Sequence, residues 1–158
     1  MKYLVLLLST FFVITAALAE PFVVIVRHAE KAAGGGNDPD LAPAGRARAD
    51  ALAGILKDSD ITAIFTSEFK RTQETAAPSA KSTGVAPTIV PAKDIAALIL
   101  KLHQLKGNAL VVAHGDTIPN ITKTLGIETP IQIPDDDYSE FFVVTLGDKP
   151  KLLRLHFP

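Results

Sequence analysis

The chain has 158 residues, 47% apolar and 21% charged, which suits one globular domain with a real core and excludes disorder. A formal net charge of -1 gives no electrostatic reason to expect nucleic acid or an anionic membrane as a partner. Cysteine is absent, so no disulfide framework or lipidated cysteine is available and packing alone must hold the fold.

Residues 1–19, "MKYLVLLLSTFFVITAALA", place the cation Lys2 before an apolar run that ends in Ala17-Leu18-Ala19. That is the layout of a secretory leader with a small-residue cleavage site. An uncleaved membrane anchor is the competing reading, but the run is short for a span of roughly 20 residues. The expectation is a leader over 1–19 and a functional domain over 20–158. That domain would be periplasmic or secreted, with no stable membrane association once the leader is removed.

Beyond the leader, apolar strand-like runs alternate with helical patterns. Phe22 to Val26 is a continuous apolar run of strand length. The loop "KAAGGGNDPD" follows, where three glycines and an Asp-Pro step forbid regular structure. From "LAPAG" onward, apolar residues at 44, 47, 51, 52, 55 and 56 predict a helix, with Pro43 near its start. Ile61 to Phe65 predicts a second strand. A helix from Glu68 to about Ser82 follows, with Ser67 placed to cap it. "PTIV" is a short strand, and Asp94 to Lys106 a helix that Gly107 would stop. Ala109 to Ala113 is another buried strand, and a short helix starts near "DTIPN". Last, "EFFVVTL", "GDKP" and "KLLRLHF" predict two strands joined by a tight turn. This order implies a single α/β domain of three layers, α/β/α, with a mostly parallel sheet and an antiparallel hairpin at one edge.

Three polar clusters stand directly behind three of those strands. Arg27-His28 follows "FVVIV", "TSEFKRTQETA" follows "ITAIF", and His114-Gly115 follows "ALVVA". Open α/β sheets bind ligands outside the carboxyl ends of their strands, so two arginines and two histidines could converge there. Arginine offers a planar fork of donors that matches phosphate oxygens. A neutral histidine can attack phosphorus through one ring nitrogen while the other is held by a hydrogen bond. Phosphoryl transfer is mostly positioning and charge stabilisation, so these groups form a sufficient set.

With "RHAE", the arginine of "TSEFKRTQETA" and the strand-borne "AHG", the chain resembles the histidine phosphatase superfamily, whose fold is phosphoglycerate mutase-like. The resemblance spans essentially all of 20–158, including Asn37 and the "L-x-x-x-G-x-x-R-A" helix start at 41–49. It implies that His28 is the nucleophile and becomes phosphohistidine. Arg27 and Arg71 would clamp the phosphoryl group, with His114 and Gly115 completing the phosphate site. It implies no metal and no cofactor. Independently, the histidines lack the close spacing of a zinc helix motif and there is no thiol. Activity is therefore expected to survive chelators.

Two departures are local: Ala29 stands where many members have glycine, and Ala42 where threonine is usual. A third bears on mechanism, because larger members supply a proton-donating glutamate from an insertion that this chain lacks. Short bacterial members, protein phosphohistidine phosphatases among them, lack it too. Asp116 is the foremost substitute acid, or else it caps the following helix. Glu30 is another, or else it pairs with Arg27 or nearby backbone. Lys31 and Asn37 either reach substrate from the loop or are solvated. No Lys-Ser/Thr follows Gly34–Gly36, which argues against a P-loop and favours a mobile active-site rim. His103 and His156 have no motif around them, and "PDDDY" at 134–138 is a solvated loop or, less suitably, a cation site.

The expected activity is hydrolysis of a phosphomonoester or phosphoramidate, with a small phosphorylated substrate as partner. The alternatives are a phosphomutase, disfavoured by the missing insertions, and a non-catalytic module that binds a phosphorylated ligand. The loops at 31–43 and 126–139 carry no pattern that names a substrate.

Overall fold

The first strand, β1 (Phe22–Arg27), is apolar along its whole interior because both of its faces are covered. In the computed structural model, which describes residues 20–34 and 36–157, Val23 and Ile25 face one hydrophobic cluster while Val24 and Val26 face another. The leader reading and Gly35 of the glycine loop lie outside the described residues. Among the described residues, no helix is long and apolar enough to cross a membrane.

The elements follow in the expected alternation: α1 (Pro43–Leu56), β2 (Ile61–Thr66), α2 (Lys70–Thr83), β3 (Pro87–Ile89), α3 (Ile95–His103), β4 (Asn108–Ala113), α4 (Ile118–Thr124), β5 (Glu140–Thr145) and β6 (Leu152–His156). They build one six-stranded sheet in the order β3-β2-β4-β1-β5-β6. β1, β2, β3 and β4 run parallel, and the β5–β6 hairpin joins β1 in the antiparallel sense at one side. Helices α3 and α4 close one face through Leu98, Leu102, Ile118 and Ile121. On the other face, α1 and α2 pack through Leu52, Leu56 and Ala76. The three-layer α/β/α expectation therefore holds.

Several local expectations need correction. The buried face of α1 is Gly45, Ala49, Leu52, Ala53 and Leu56, so of the stripe expected at 44, 47, 51, 52, 55 and 56 only Leu52 and Leu56 face the core. Ile55 is in fact 47% exposed. Small residues line the true face because the helix packs against the Glu30 backbone. A side chain at Gly45 would collide with the Glu30 carbonyl and stand 2.9 Å from its nitrogen.

Helix α2 begins at Lys70 rather than Glu68, with Phe69 at its cap position, so Ser67 is free for another role. Helix α3 ends at His103, short of Lys106, and Gly107 does not stop it. A Cβ at Gly107 would lie 2.7 Å from Thr62 Oγ1, so this glycine permits close packing against β2. Asp94 does cap α3, accepting from the Ala97 N–H at 3.0 Å. The closing hairpin has residues 146–151 between its strands, longer than the tight turn read into "GDKP".

Candidate active site

Because β2, β4 and β1 are parallel neighbours, their carboxyl ends lie side by side. Arg27 pairs in register with Ala113, and Thr66 with Val112. The chain leaves these strands at His28, His114 and Ser67, and the His28 N–H donates to the Ala113 carbonyl at 2.9 Å. Residues 86 positions apart in sequence thus become adjacent. The rings of His28 and His114 have centroids 5.3 Å apart at 63°.

His28 is 4% exposed. Its Nδ1 lies 2.9 Å from the Ala29 carbonyl, which can only accept, so the proton is fixed on Nδ1 and Nε2 keeps its lone pair. Burial lowers its pKa to about 4; the Ala29 bond opposes this, and the charges of His114, Arg71 and Arg27 reinforce it. Near neutral pH the imidazole is a free base held in one orientation, as a nucleophile requires.

His114 is buried as well. Its Nε2 lies 2.9 Å from the Ser67 hydroxyl and its Nδ1 3.5 Å from Arg71 Nη2. Burial, then Arg71, lowers its pKa, while Asp116 and Glu68 pull the other way. The Ser67 hydroxyl can give or take a proton at Nε2, so Nδ1 can donate to or accept from whatever it faces. A turn holds the ring in place: Thr117 Oγ1 accepts from the His114 N–H at 3.1 Å, and the Thr117 N–H returns to the His114 carbonyl at 3.1 Å.

The two arginines are braced mainly by backbone carbonyls and aromatic rings. Arg27 donates through Nη1 to the carbonyls of Pro134 (2.9 Å) and Asp137 (3.1 Å), and its guanidinium lies 4.4 Å over the Tyr138 ring. Arg71 lies 4.2 Å over the Phe69 ring, with Asn37 O at 3.5 Å and Asp38 at 3.7 Å from its Nη1. The Nε atoms of both arginines are buried with no hydrogen-bond partner among the described residues. An unpaired buried donor on a cation is costly, and two of them beside a pair of imidazoles suit an acceptor with several oxygens. Gly115 lies directly against the Arg27 guanidinium: a Cβ there would stand in ordinary contact with Arg27 Nε, at 3.5 Å.

Arg27, His28, Arg71, His114 and Gly115 are therefore brought together, and the other two predicted residues fare differently. Glu30 is gripped by Arg48, whose Nε reaches both carboxylate oxygens at 3.0 Å and whose Nη2 reaches one at 2.8 Å. Its expected partner, Arg27, is not the one it has, and Arg48 holds its carboxyl below the usual range. Asp116 is exposed on the turn after His114, and Thr117, not Asp116, takes the cap position of α4. Among the described residues its carboxylate makes no hydrogen bond, so it is available to the cleft beside His114.

Other contributors were not anticipated. Tyr138, whose ring also lies 6.0 Å from that of His28, belongs to the loop read as merely solvated. Ser67 orients His114, Phe69 packs edge-on against it at 5.4 Å, and Thr75 Oγ1 accepts from the Ala29 N–H at 2.9 Å. In the same loop, Asp137 comes within 4.8 Å of Glu140 and His156. These acids are already engaged, Asp137 by Ser139 and Glu140 by Arg154.

Comparison with known proteins is consistent with this geometry. Residues 23–96 match the family model described as histidine phosphatase superfamily (branch 1). No curated protein matches the sequence. Among solved structures, the chain is similar to the protein histidine phosphatase SixA complexed with tungstate, at 20% identity and a TM-score of 0.72, covering 85% of this chain and 96% of that one. It is also similar to a mycobacterial glucosyl-3-phosphoglycerate phosphatase, at 15% identity and a TM-score of 0.65, covering 85% of this chain and 97% of that one. At such identities the structural likeness establishes the fold. Arg27, His28 and Arg71 lie inside the segment that matches the histidine phosphatase superfamily, and the fold sets His114 beside them.

Proposed function

We propose that the protein is a phosphatase that hydrolyses a phosphomonoester or phosphoramidate through a phosphohistidine formed at His28. The observation that carries this reading is the pair of partnerless, buried guanidinium nitrogens on Arg27 and Arg71, flanking an imidazole whose pKa is lowered to about 4. The phosphatases of similar fold support it.

His28 Nε2 attacks phosphorus in line, and the bond from phosphorus to the leaving oxygen or nitrogen breaks. Charge on the equatorial oxygens falls to Arg27, Arg71 and His114. The phosphorylated imidazole keeps its Nδ1–H on the Ala29 carbonyl, which stabilises its positive charge. The leaving group takes a proton from Asp116 or from water. A phosphohistidine imidazole, a good leaving group, demands less of that donor. Water then attacks phosphorus and passes a proton back to the donor of the first step, Asp116 or solvent; the N–P bond breaks, and inorganic phosphate leaves with His28 neutral again. Tyr138 and Phe69 keep the two guanidinium planes in position during both steps.

We also place this activity outside the cytoplasm, on the strength of the leader-like residues 1–19.

The test is steady-state hydrolysis of an aryl phosphate across pH. Many phosphate molecules should be released per protein. Once the ester's own ionisation near pH ~6 is divided out, kcat/KM should hold until the pH falls towards about 4. The sign follows from chemistry: the reactive form is the neutral ring, and a lowered pKa extends it to more acid solution. A single substoichiometric burst would instead favour a module that binds phosphorylated ligands without turning them over. An acid limb at an ordinary histidine value, roughly 6.5, would contradict a lowered pKa for the attacking ring.

A further inference from the structure

Beside the phosphoryl site a cleft of about 390 Å³ opens onto Arg71 and His114. Phe69 and Ile95 give it an apolar wall, and its charged groups are Glu68, Asp116 and Lys93. A phosphoryl group held by Arg27, Arg71 and His28 would direct its leaving group into such a space.

We infer that this cleft selects substrates whose leaving group carries a cation, such as an ammonium, and discriminates against those bearing a second anion. The inference rests on the phosphatase reading above and names its substrate class. Two guanidinium charges match the two charges of a phosphoryl dianion, which leaves no surplus cation at the reacting centre for another anionic group. Farther out, two carboxylates face one lysine.

The carboxylates are also the better fixed. Glu68 Oε2 accepts from the Ala92 N–H at 2.8 Å, which pins the carboxylate at the rim. Asp116 sits on the short turn that Thr117 closes back onto His114. Both lie close enough to His114 to raise its proton affinity against the effect of burial. Lys93 is exposed on a flexible stem, makes no ion pair among the described residues, and can turn into water, where its field is screened. Glu68 sits one residue beyond Ser67, on the cleft side of the "TSEF" turn, and serves as a specificity residue without touching phosphorus.

Phosphonates separate this inference from the question of hydrolysis, because their P–C bond is not cleaved. Calorimetric binding to the protein should be compared for 3-aminopropylphosphonate and 3-phosphonopropionate, which share a phosphonate and a three-carbon chain and differ in the sign of the end group. Exposed charge pairs each change affinity by a factor of a few, so the amine should bind about 3–10-fold tighter at low salt. The gap should narrow as salt rises. Glu68→Gln, which keeps an acceptor for the Ala92 N–H, should shrink it by roughly half on a logarithmic scale, and Glu68→Lys should reverse it. Equal affinities, tighter binding of the carboxylate, or a preference indifferent to both variants would overturn the inference, whether or not aryl phosphates are hydrolysed. Charge-selective binding without turnover would sustain it and count against the phosphatase reading alone.

Discussion

Replacing His28 with alanine is expected to lower aryl phosphate turnover by about 10⁴-fold or more, because the buried imidazole whose free Nε2 lone pair is oriented for attack is removed. The loss should fall on kcat and leave oxyanion binding largely intact, since Arg27, Arg71 and His114 remain. The ring is almost wholly buried, so its removal also opens a small cavity. A thermal melt and a vanadate or phosphate titration on the variant therefore belong with the kinetics. A folded variant that still binds the anion and turns over slowly is the expected result. A folded variant retaining more than a few per cent of wild-type turnover would mean that another group attacks phosphorus.

Arg71→Ala should be the next most damaging change, with kcat/KM falling about 10²–10³-fold, as when one preorganised donor to a developing oxyanion is lost. Arg71 gives a cleaner test than Arg27. The Nη1 of Arg27 ties down the 134–138 loop through two carbonyls, so its loss would disturb binding and loop together. The contacts of Arg71 with protein acceptors are long, at 3.5 Å to Asn37 O, 3.5 Å to His114 Nδ1 and 3.7 Å to Asp38, and none of them ties down a loop as the Arg27 contacts do. Arg71→Lys keeps a charge but not the planar fork, and should fall between wild type and alanine. A loss smaller than tenfold in the alanine variant would place Arg71 outside the phosphoryl contact.

Much of this site could be read before the fold was seen, and for a physical reason. A strand covered on both faces must be apolar throughout, so "FVVIV", "ITAIF" and "ALVVA" stand out, and the first polar residue after each marks a carboxyl end. Parallel neighbours in a sheet then bring those ends together. What escaped notice lay in elements whose position depends on pairing. Tyr138 reaches Arg27 because β5 runs antiparallel beside β1, so the loop entering β5 arrives where β1 ends. That geometry could have been deduced by asking which strand flanks β1, though nothing within "PDDDY" announces it.

Partner choice was equally hidden. Glu30 follows the histidine by two residues, yet its carboxylate belongs to Arg48 on α1, which the close approach at Gly45 brings over the same loop. Ser67 fits a helix cap by position, but α2 starts too late for it, and its hydroxyl goes to His114 instead. Helix α3 stops before Gly107, and that glycine instead serves the contact with Thr62, a tertiary demand that local patterning does not record.

The most direct measurement is rapid-quench trapping of the wild-type protein with a phosphorylated substrate, followed by peptide mapping under alkaline conditions. A phosphoryl group that survives base, is lost in acid and maps to His28 is the predicted result. Full turnover with no adduct at any time point, or an adduct on another residue, would contradict it.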